Sequence, residues 1–285
     1  MNVALNPLQW FFAGASLPDG LDGVLGEVAA AGFGAVPVTI PPGEGVERYR
    51  ERLLRHGLRP APGYVAAALH DPAARPEFVE RARRAAAQHA ELGVAEVFLG
   101  SALVAERVRR PARSAEAQPD PATLDVLAES ARLVGAATAA EGVRACLHNH
   151  VGSPVESQAE LEGVLARTDP GVVALGPDTG HLAWAGGDVA SLLRAHHDRV
   201  SALHLKDVRL AAAWRGRAED LNYRAQEALG LWAELGAGDL PLPDCLQALE
   251  GSAAWVVVEV DRPSSGLAPL ESARICAGWL RARGL

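Results

Sequence analysis

Four histidines, four carboxylates and a lysine crowd into four short stretches of the chain: His148-Asn149-His150, Asp178-Thr179-Gly180-His181, His204-Leu205-Lys206-Asp207 and Glu259-Val260-Asp261. Imidazole mixed with carboxylate is ligand chemistry for a divalent first-row ion, and Mn²⁺, Co²⁺, Zn²⁺ and Fe²⁺ all accept it. Each stretch closes an apolar, β-rich run, so His148, Asp178, His204 and Glu259 stand at comparable heights at four successive strand ends. The reading is a metal site of these four residues with positions open for substrate. Strand-end polar residues also hydrogen-bond to loop backbone, an account that serves one of them far better than four at matching positions. Around this set, Lys206 shares strand parity with His204 and His150 shares it with His148, so both are acid/base candidates facing the same mouth. A partly desolvated lysine there either titrates low and moves protons, or stays charged and holds an oxyanion. The plainer alternative for Lys206 is a salt bridge to Asp207 or Asp178. His181 and Asn149 are candidate substrate contacts.

Those residues need a scaffold that brings successive strand ends to one rim. Eight short apolar runs recur along the chain: 3–5, 35–40, 58–64, 95–99, 143–148, 172–175, 200–205 and 255–260. Between them lie segments with helical spacing, 21–31, 45–56, 76–92, 123–141, 158–166, 189–196, 242–250 and 270–283, several ending in a glycine suited to a left-handed cap. Eight strand–helix units over 285 residues predict a single α/β domain, a (β/α)₈ TIM barrel spanning 1–285. A doubly wound open sheet would carry a glycine fingerprint after its first strand, whereas Leu5 is followed by Asn-Pro-Leu-Gln-Trp. Long connections at 111–121 and 206–240 fall on the carboxyl side of the barrel, where substrate loops belong, and the second has room for an extra helix. The Glu234-Leu-Gly-Ala-Gly238 segment predicts a tight turn near the site.

Composition narrows the function classes. A formal net charge of −8 disfavours a phosphate-backbone binder. The amino terminus has no basic n-region and no apolar run reaches membrane length, so a cytoplasmic protein without a membrane partner is expected. Three cysteines, Cys146, Cys245 and Cys276, fall far apart and in no CxxC pair, and are expected as buried apolar filler.

The motifs also carry a likeness. Asn6-Pro7-Leu8-Gln9-Trp10, His148-Asn149-His150-Val151-Gly152, Asp178-Thr179-Gly180-His181, His204-Leu205-Lys206-Asp207-Val208-Arg209 and Glu259 followed by Asp261-Arg262-Pro263 resemble the xylose-isomerase-like barrel superfamily of sugar isomerases, epimerases and dehydratases, and within it the inosose dehydratase group. The likeness runs the length of the chain and is stronger in the second half. It implies that Asp178, His204 and Glu259 are metal ligands, with Glu259 also at the reacting carbon. The fifth strand of the epimerases and isomerases ends in a glutamate where this chain has His148, which weakens a symmetric two-glutamate epimerisation and favours the dehydratase branch. The second strand, Val36 to Ile40, lacks the acidic residue common in relatives.

The expected chemistry is a divalent ion, Mn²⁺ or Co²⁺ favoured with Zn²⁺ or Mg²⁺ admissible, chelating a keto-polyol and stabilising the enediolate formed when a base removes the proton beside the carbonyl. Loss of a β-hydroxyl then gives dehydration; reprotonation gives isomerisation or epimerisation. Glu259, Lys206 and His150 are the candidate catalytic groups, and Asn6, Trp10, His181 and Asn149 the candidate substrate contacts. A binding-only barrel is a further alternative. Abasic-site endonuclease chemistry, known on related barrels, is disfavoured by the acidic charge. Finally, Lys206 is the one lysine among 27 basic residues. Where arginine is the default cation, its position two residues from a predicted ligand points to a need for a compact amine.

Overall fold

The computed structural model describes residues 1–17, 19–114 and 118–285. All eight expected strands form: β1 (Asn2–Leu5), β2 (Ala35–Pro37), β3 in two segments (Arg59–Ala61 and Tyr64–Ala67), β4 (Glu96–Ser101), β5 (Arg144–His148), β6 (Val173–Leu175), β7 (Ala202–Leu205) and β8 (Trp255–Val258). Their ladders are parallel: β8 pairs with β1 and β7, β2 with the first half of β3, and the second half of β3 with β4, then β5, then β6. Single bridges, Leu175 to Val200 and Asp178 to His204, join β6 to β7, and β1 lies beside β2 to complete the ring. The eight expected helices form within a few residues of their expected bounds, from Leu21–Ala30 to Pro269–Arg281. Gly32, Gly57, Gly93 and Gly142 end four of them at φ between +66° and +98°, the left-handed caps read from their spacing. All three cysteines are buried thiols. The 111–121 connection falls partly outside the described residues.

Inside the ring each strand contributes one side chain to a closed layer: Ala4, Ala35, Ala61, Phe98, Cys146, Ala174, Ala202 and Val257. Six of the eight are small or compact, and the single aromatic, Phe98, fills the space they leave. Gly176 belongs to the same arrangement, because a Cβ there would come within 2.9 Å of the Phe98 ring and 2.7 Å of the Cys146 side chain. Phe98 is also the floor of the carboxyl rim: its ring centre lies 4.1 Å from that of His204 and 5.6 Å from that of His148.

β3 breaks at Pro62-Gly63, and a histidine repairs the break. His89, on the helix Arg75–Glu91, accepts the Gly63 N–H at Nε2 (3.0 Å) and donates from Nδ1 to the Ala85 carbonyl (2.7 Å). That pattern requires the neutral ring, and burial holds the imidazole below its ordinary pKa.

Two outcomes follow. Phe98→Ala should lose about 3–5 kcal/mol in urea unfolding and disturb the His148 and His204 ring signals together. His89 is neutral when folded, so its contribution is present above the unfolded-state pKa and is lost as pH falls toward the folded value. The stability gap between the wild type and His89→Gln should therefore narrow from pH 7 to pH 5 in parallel urea titrations; a gap independent of pH would remove His89 from the acid response.

Candidate metal centre and cavity

The carboxyl ends of β5, β6 and β7 are stitched together by side chains where the β6–β7 ladder thins out. Asn149 accepts the Asp178 N–H at 2.9 Å and donates to the Asp178 carbonyl at 3.2 Å. Thr179 does the same for Lys206, donating to its carbonyl (2.7 Å) and accepting its N–H (2.8 Å). Gly180 lets the two strand ends close up, since a Cβ there would sit 2.7 Å from the Lys206 Cβ. Asp178 then caps the short helix Thr179–Trp184, its Oδ1 accepting the His181 N–H at 2.8 Å.

This stitching aims three ligand-type atoms at one space. Among the described residues His148, Asp178 and His204 form a group whose donor atoms lie within 4.8 Å of one another, all buried. Asp178 Oδ2 is 3.9 Å from His148 Nε2 and 3.7 Å from His204 Nδ1. His148 donates from Nδ1 to the Gly176 carbonyl at 3.0 Å, which leaves Nε2 as the lone-pair nitrogen facing the group. Asp178 Oδ2 and His204 Nδ1 have no hydrogen-bond partner although both are buried. Their charged neighbours, Lys206 Nζ 3.5 Å from Asp178 Oδ2 and Glu259 Oε2 3.2 Å from His204 Nδ1, make no hydrogen bond to them, and buried polar atoms in that state are costly unless something binds them.

Charge gives the same answer. Lys206 is buried and its Nζ lies 2.6 Å from Glu259 Oε1, 2.7 Å from Asp261 Oδ1 and 3.5 Å from Asp178 Oδ2. Burial works against the ammonium, but Asp178, Asp261 and Glu259 outweigh it and hold the amine well above its ordinary pKa. Burial likewise pushes Asp178 up, yet Lys206 and the neighbouring histidines leave it well below the usual carboxylate range. For Glu259 the same contest, with Lys206 and His204 opposing burial, ends at about 2. At Asp261 burial prevails over Lys206 and raises the carboxyl to about 8. One ammonium thus faces two ionised carboxylates, while burial and the adjacent His204 depress His148 to about 3 and so keep it neutral. The site carries surplus negative charge and unpaired donors, and it fits a divalent cation.

The sequence-derived residues divide in two. His148, His150, His204, Glu259 and Asn6 line a cavity of about 620 Å³ at the barrel mouth. Asn6 donates through Nδ2 to Glu259 Oε2, which also lies 3.2 Å from His204 Nδ1. Glu259 is therefore placed beside the three-residue group, braced between Lys206 and Asn6. His150 donates from Nδ1 to the Val151 carbonyl (2.7 Å), leaving Nε2 free; burial, with Lys206, lowers its pKa to about 4.

The remaining expectations are corrected by burial. Trp10 is not a cavity wall: its indole donates to Glu27 Oε2 at 2.6 Å and packs in the core, because the helix Leu8–Phe12 turns Leu8 and Phe11 toward the cavity instead. Asn149 is fully buried with its amide committed to the Asp178 backbone. His181 is also fully buried, its Nδ1 3.4 Å from the Val151 N–H and its Nε2 3.3 Å from Lys206 Nζ. Lys206 sits beneath the cavity surface, and of its two suggested partners Asp178 is the one it meets. Asp207 instead accepts the backbone N–H groups of Val208, Gly236, Gly238 and Leu240, tying down the turn after β7. A lysine with a depressed pKa is excluded by its three carboxylate neighbours.

The connection after β7 holds two helices, Leu210–Ala218 and Tyr223–Glu227, and an antiparallel ribbon of Asp207–Val208 with Trp232–Ala233. It brings Tyr223 parallel to the His150 ring, 6.1 Å between centres, while His181 backs the other ring contact at 3.7 Å. Tyr64 and Ser101, which sequence reasoning missed, also line the cavity. Tyr64 sets its ring edge-on to His148 at 5.3 Å. Ser101 ends β4, a position that the second-half histidines had already marked as informative, whereas Tyr64 opens the second segment of β3 after the break at Pro62-Gly63.

A family model described as xylose isomerase-like TIM barrel matches residues 25–283. An inosose dehydratase of Lactiplantibacillus plantarum is 36% identical over 150 residues, 52% of this chain and 50% of that protein, so the chain spans about half the length of the curated relative it matches. The fold is similar over 99% of the chain to the crystal structure of a probable 3-DHS dehydratase involved in petrobactin synthesis from Bacillus anthracis, with 99% of that chain covered, 12% identity and a TM-score of 0.71. It is equally similar in extent to the IOLI protein with a binding zinc atom, with 97% of that chain covered, 18% identity and a TM-score of 0.68.

Asn149 gives a direct test of the stitching. Asn149→Ala should keep the fold but weaken divalent-ion affinity by roughly 10–100-fold in competition with a fluorescent chelator; unchanged affinity would show that Asp178 is held without it.

Proposed function

The chain belongs to the xylose isomerase-like TIM barrel family, and from that premise we propose that it is a divalent-metal-dependent dehydratase acting on a keto-cyclitol or related keto-sugar. The observation that carries the reading is the pair of orphaned buried atoms, Asp178 Oδ2 and His204 Nδ1, facing His148 at the wall of a cavity of substrate size. The inosose dehydratase likeness over half the chain supports the reaction type.

His148, Asp178 and His204 would hold the ion, with Glu259 beside them. A divalent ion supplies Lewis-acid polarisation of a ketone and its neighbouring hydroxyl. The rest falls to the chain's own side chains. His150 presents a neutral Nε2 to the cavity and removes the proton on the carbon beside the carbonyl. When the β-hydroxyl leaves, the imidazolium returns that proton to the departing oxygen, so the C–H and C–O bonds break, a C=C bond forms and water is released. Glu259, ionised and braced by Lys206 and Asn6, accepts a hydrogen bond from a substrate hydroxyl and fixes the ring against His150. Lys206 is a positioning residue that acts through Glu259 and Asp178. Tyr223 and His181 keep the His150 ring in its plane.

Incubation with Mn²⁺ or Co²⁺ and inosose should yield an ultraviolet-absorbing unsaturated product. Asp178→Ala should lose both the ion and turnover. His150→Gln should retain the ion and lose about 10²–10⁴-fold in kcat, and Lys206→Arg should keep the ion and lose turnover. Solvent proton exchange into recovered ketose without water loss would replace the reading by isomerisation or epimerisation.

A further inference from the structure

The two walls of the cavity differ in chemistry. One carries His148, His150, His204 and Glu259. The other is built largely by the segments that follow β1 and β2, and is mostly apolar: Leu8, Phe11, Val38 and Ile40, with Thr39 between the last two and Gln88 of the helix Arg75–Glu91 also in the lining. None of the four apolar residues is fully covered by the protein: Val38 is 8% exposed and the other three are half-buried. Between the walls lies Ser101, at the end of β4, 2% exposed, with an Oγ that has no hydrogen-bond partner. No lysine or arginine lines the cavity among the described residues.

A fully hydroxylated cyclitol ring finds few partners on that second wall, where only Thr39 and Gln88 offer polar side chains, since each hydroxyl turned toward Leu8 or Ile40 loses its water without gaining a partner. A phosphate would meet no cation to neutralise it. An apolar substituent on the substrate would instead remove apolar surface from water on both sides of the contact. The volume, about 620 Å³, also leaves room beyond a single ring bound at the histidine wall.

We propose that the substrate is an uncharged keto-polyol carrying an apolar substituent, alkyl or aryl, at the end remote from the reacting carbon. Its polar end is anchored at the histidine wall and by a hydrogen bond to Ser101 Oγ. Its apolar end lies on Leu8, Phe11, Val38 and Ile40. This deepens the dehydratase reading and rests on it only for the identity of the polar end.

The experiment compares inosose, an O-benzyl inosose and an inosose phosphate on Mn²⁺-loaded protein, by calorimetric Kd and by KM where turnover is seen. The benzyl ether should bind about tenfold or more tightly than inosose, and the phosphate more weakly than either. Phe11→Ser with Ile40→Ser should remove the benzyl advantage, weakening the ether far more than inosose, and Ser101→Ala should weaken both neutral ligands alike. Equal affinity of ether and inosose, or a benzyl advantage that survives the paired serine variant, overturns the proposal. Binding of the ether with the predicted mutational pattern but no water loss from any ketone would uphold the apolar subsite and sink the dehydratase reading instead.

Discussion

The rim is organised around one buried ammonium. Lys206 Nζ reaches Asp178, Glu259 and Asp261, which come from β6 and β8, while Lys206 itself extends from β7. Buried ion pairs are not a general source of stability, but removing one member leaves uncompensated charge in a low-dielectric space. Three neighbouring strand ends are therefore held in register by a contact that cannot be loosened at one strand alone. Arginine would bring a wider, forked head to a space sized for an amine, with the Gly180 backbone packed against the lysine stem. Arginine is the default cation of the chain, and this packing accounts for the one lysine.

The barrel interior transmits the same constraint downward. A layer of alanines with one phenylalanine is an uneven way to fill a barrel, and it makes Phe98 the common support of His148 and His204. Gly176 is read locally as a strand-end glycine before a proline, but its reason is steric and distant, the ring of Phe98. Core and site are in this sense one packing problem. The edges of His148 and His204 touch the same ring, so their spacing is set by the core rather than by the loops that follow them.

Much of this was legible in the sequence, for identifiable reasons. Strand ends of a parallel barrel project to one rim, so a histidine or carboxylate closing an apolar run reveals both its element and its face. That is why the eight strands, the left-handed glycine caps, and the convergence of His148, Asp178 and His204 follow from spacing. Depth is what periodicity does not encode. Parity turns Lys206 inward but does not say whether inward means cavity or core, and the same question stays open for His181 just past Asp178; both are buried beneath the cavity surface. Trp10 and Asn149 illustrate the same gap: the partners that remove them from the cavity, Glu27 and the Asp178 backbone, lie 17 and 29 residues away. Ser101 was hidden because a single hydroxyl at a strand end is common, and only its lack of a partner, visible in three dimensions, distinguishes it; Tyr64 was hidden because it opens the second segment of β3, past a break that periodicity does not reveal.

The division of labour between the halves of the barrel follows from the same geometry. The second half supplies a tightly stitched set of charged and imidazole groups whose backbone is held by Asn149, Thr179 and Asp207. The first half supplies Leu8, Phe11, Val38 and Ile40 from short connecting segments, and Phe11, Val38 and Ile40 also pack against the core. Exchange of a residue there alters the shape of the cavity without disturbing any ligand-type atom or the Lys206 cluster. A fold that gathers its ligand-type and titratable groups on one side can therefore change the shape of its cavity by the other, which is where this chain departs most from the likeness its motifs suggest.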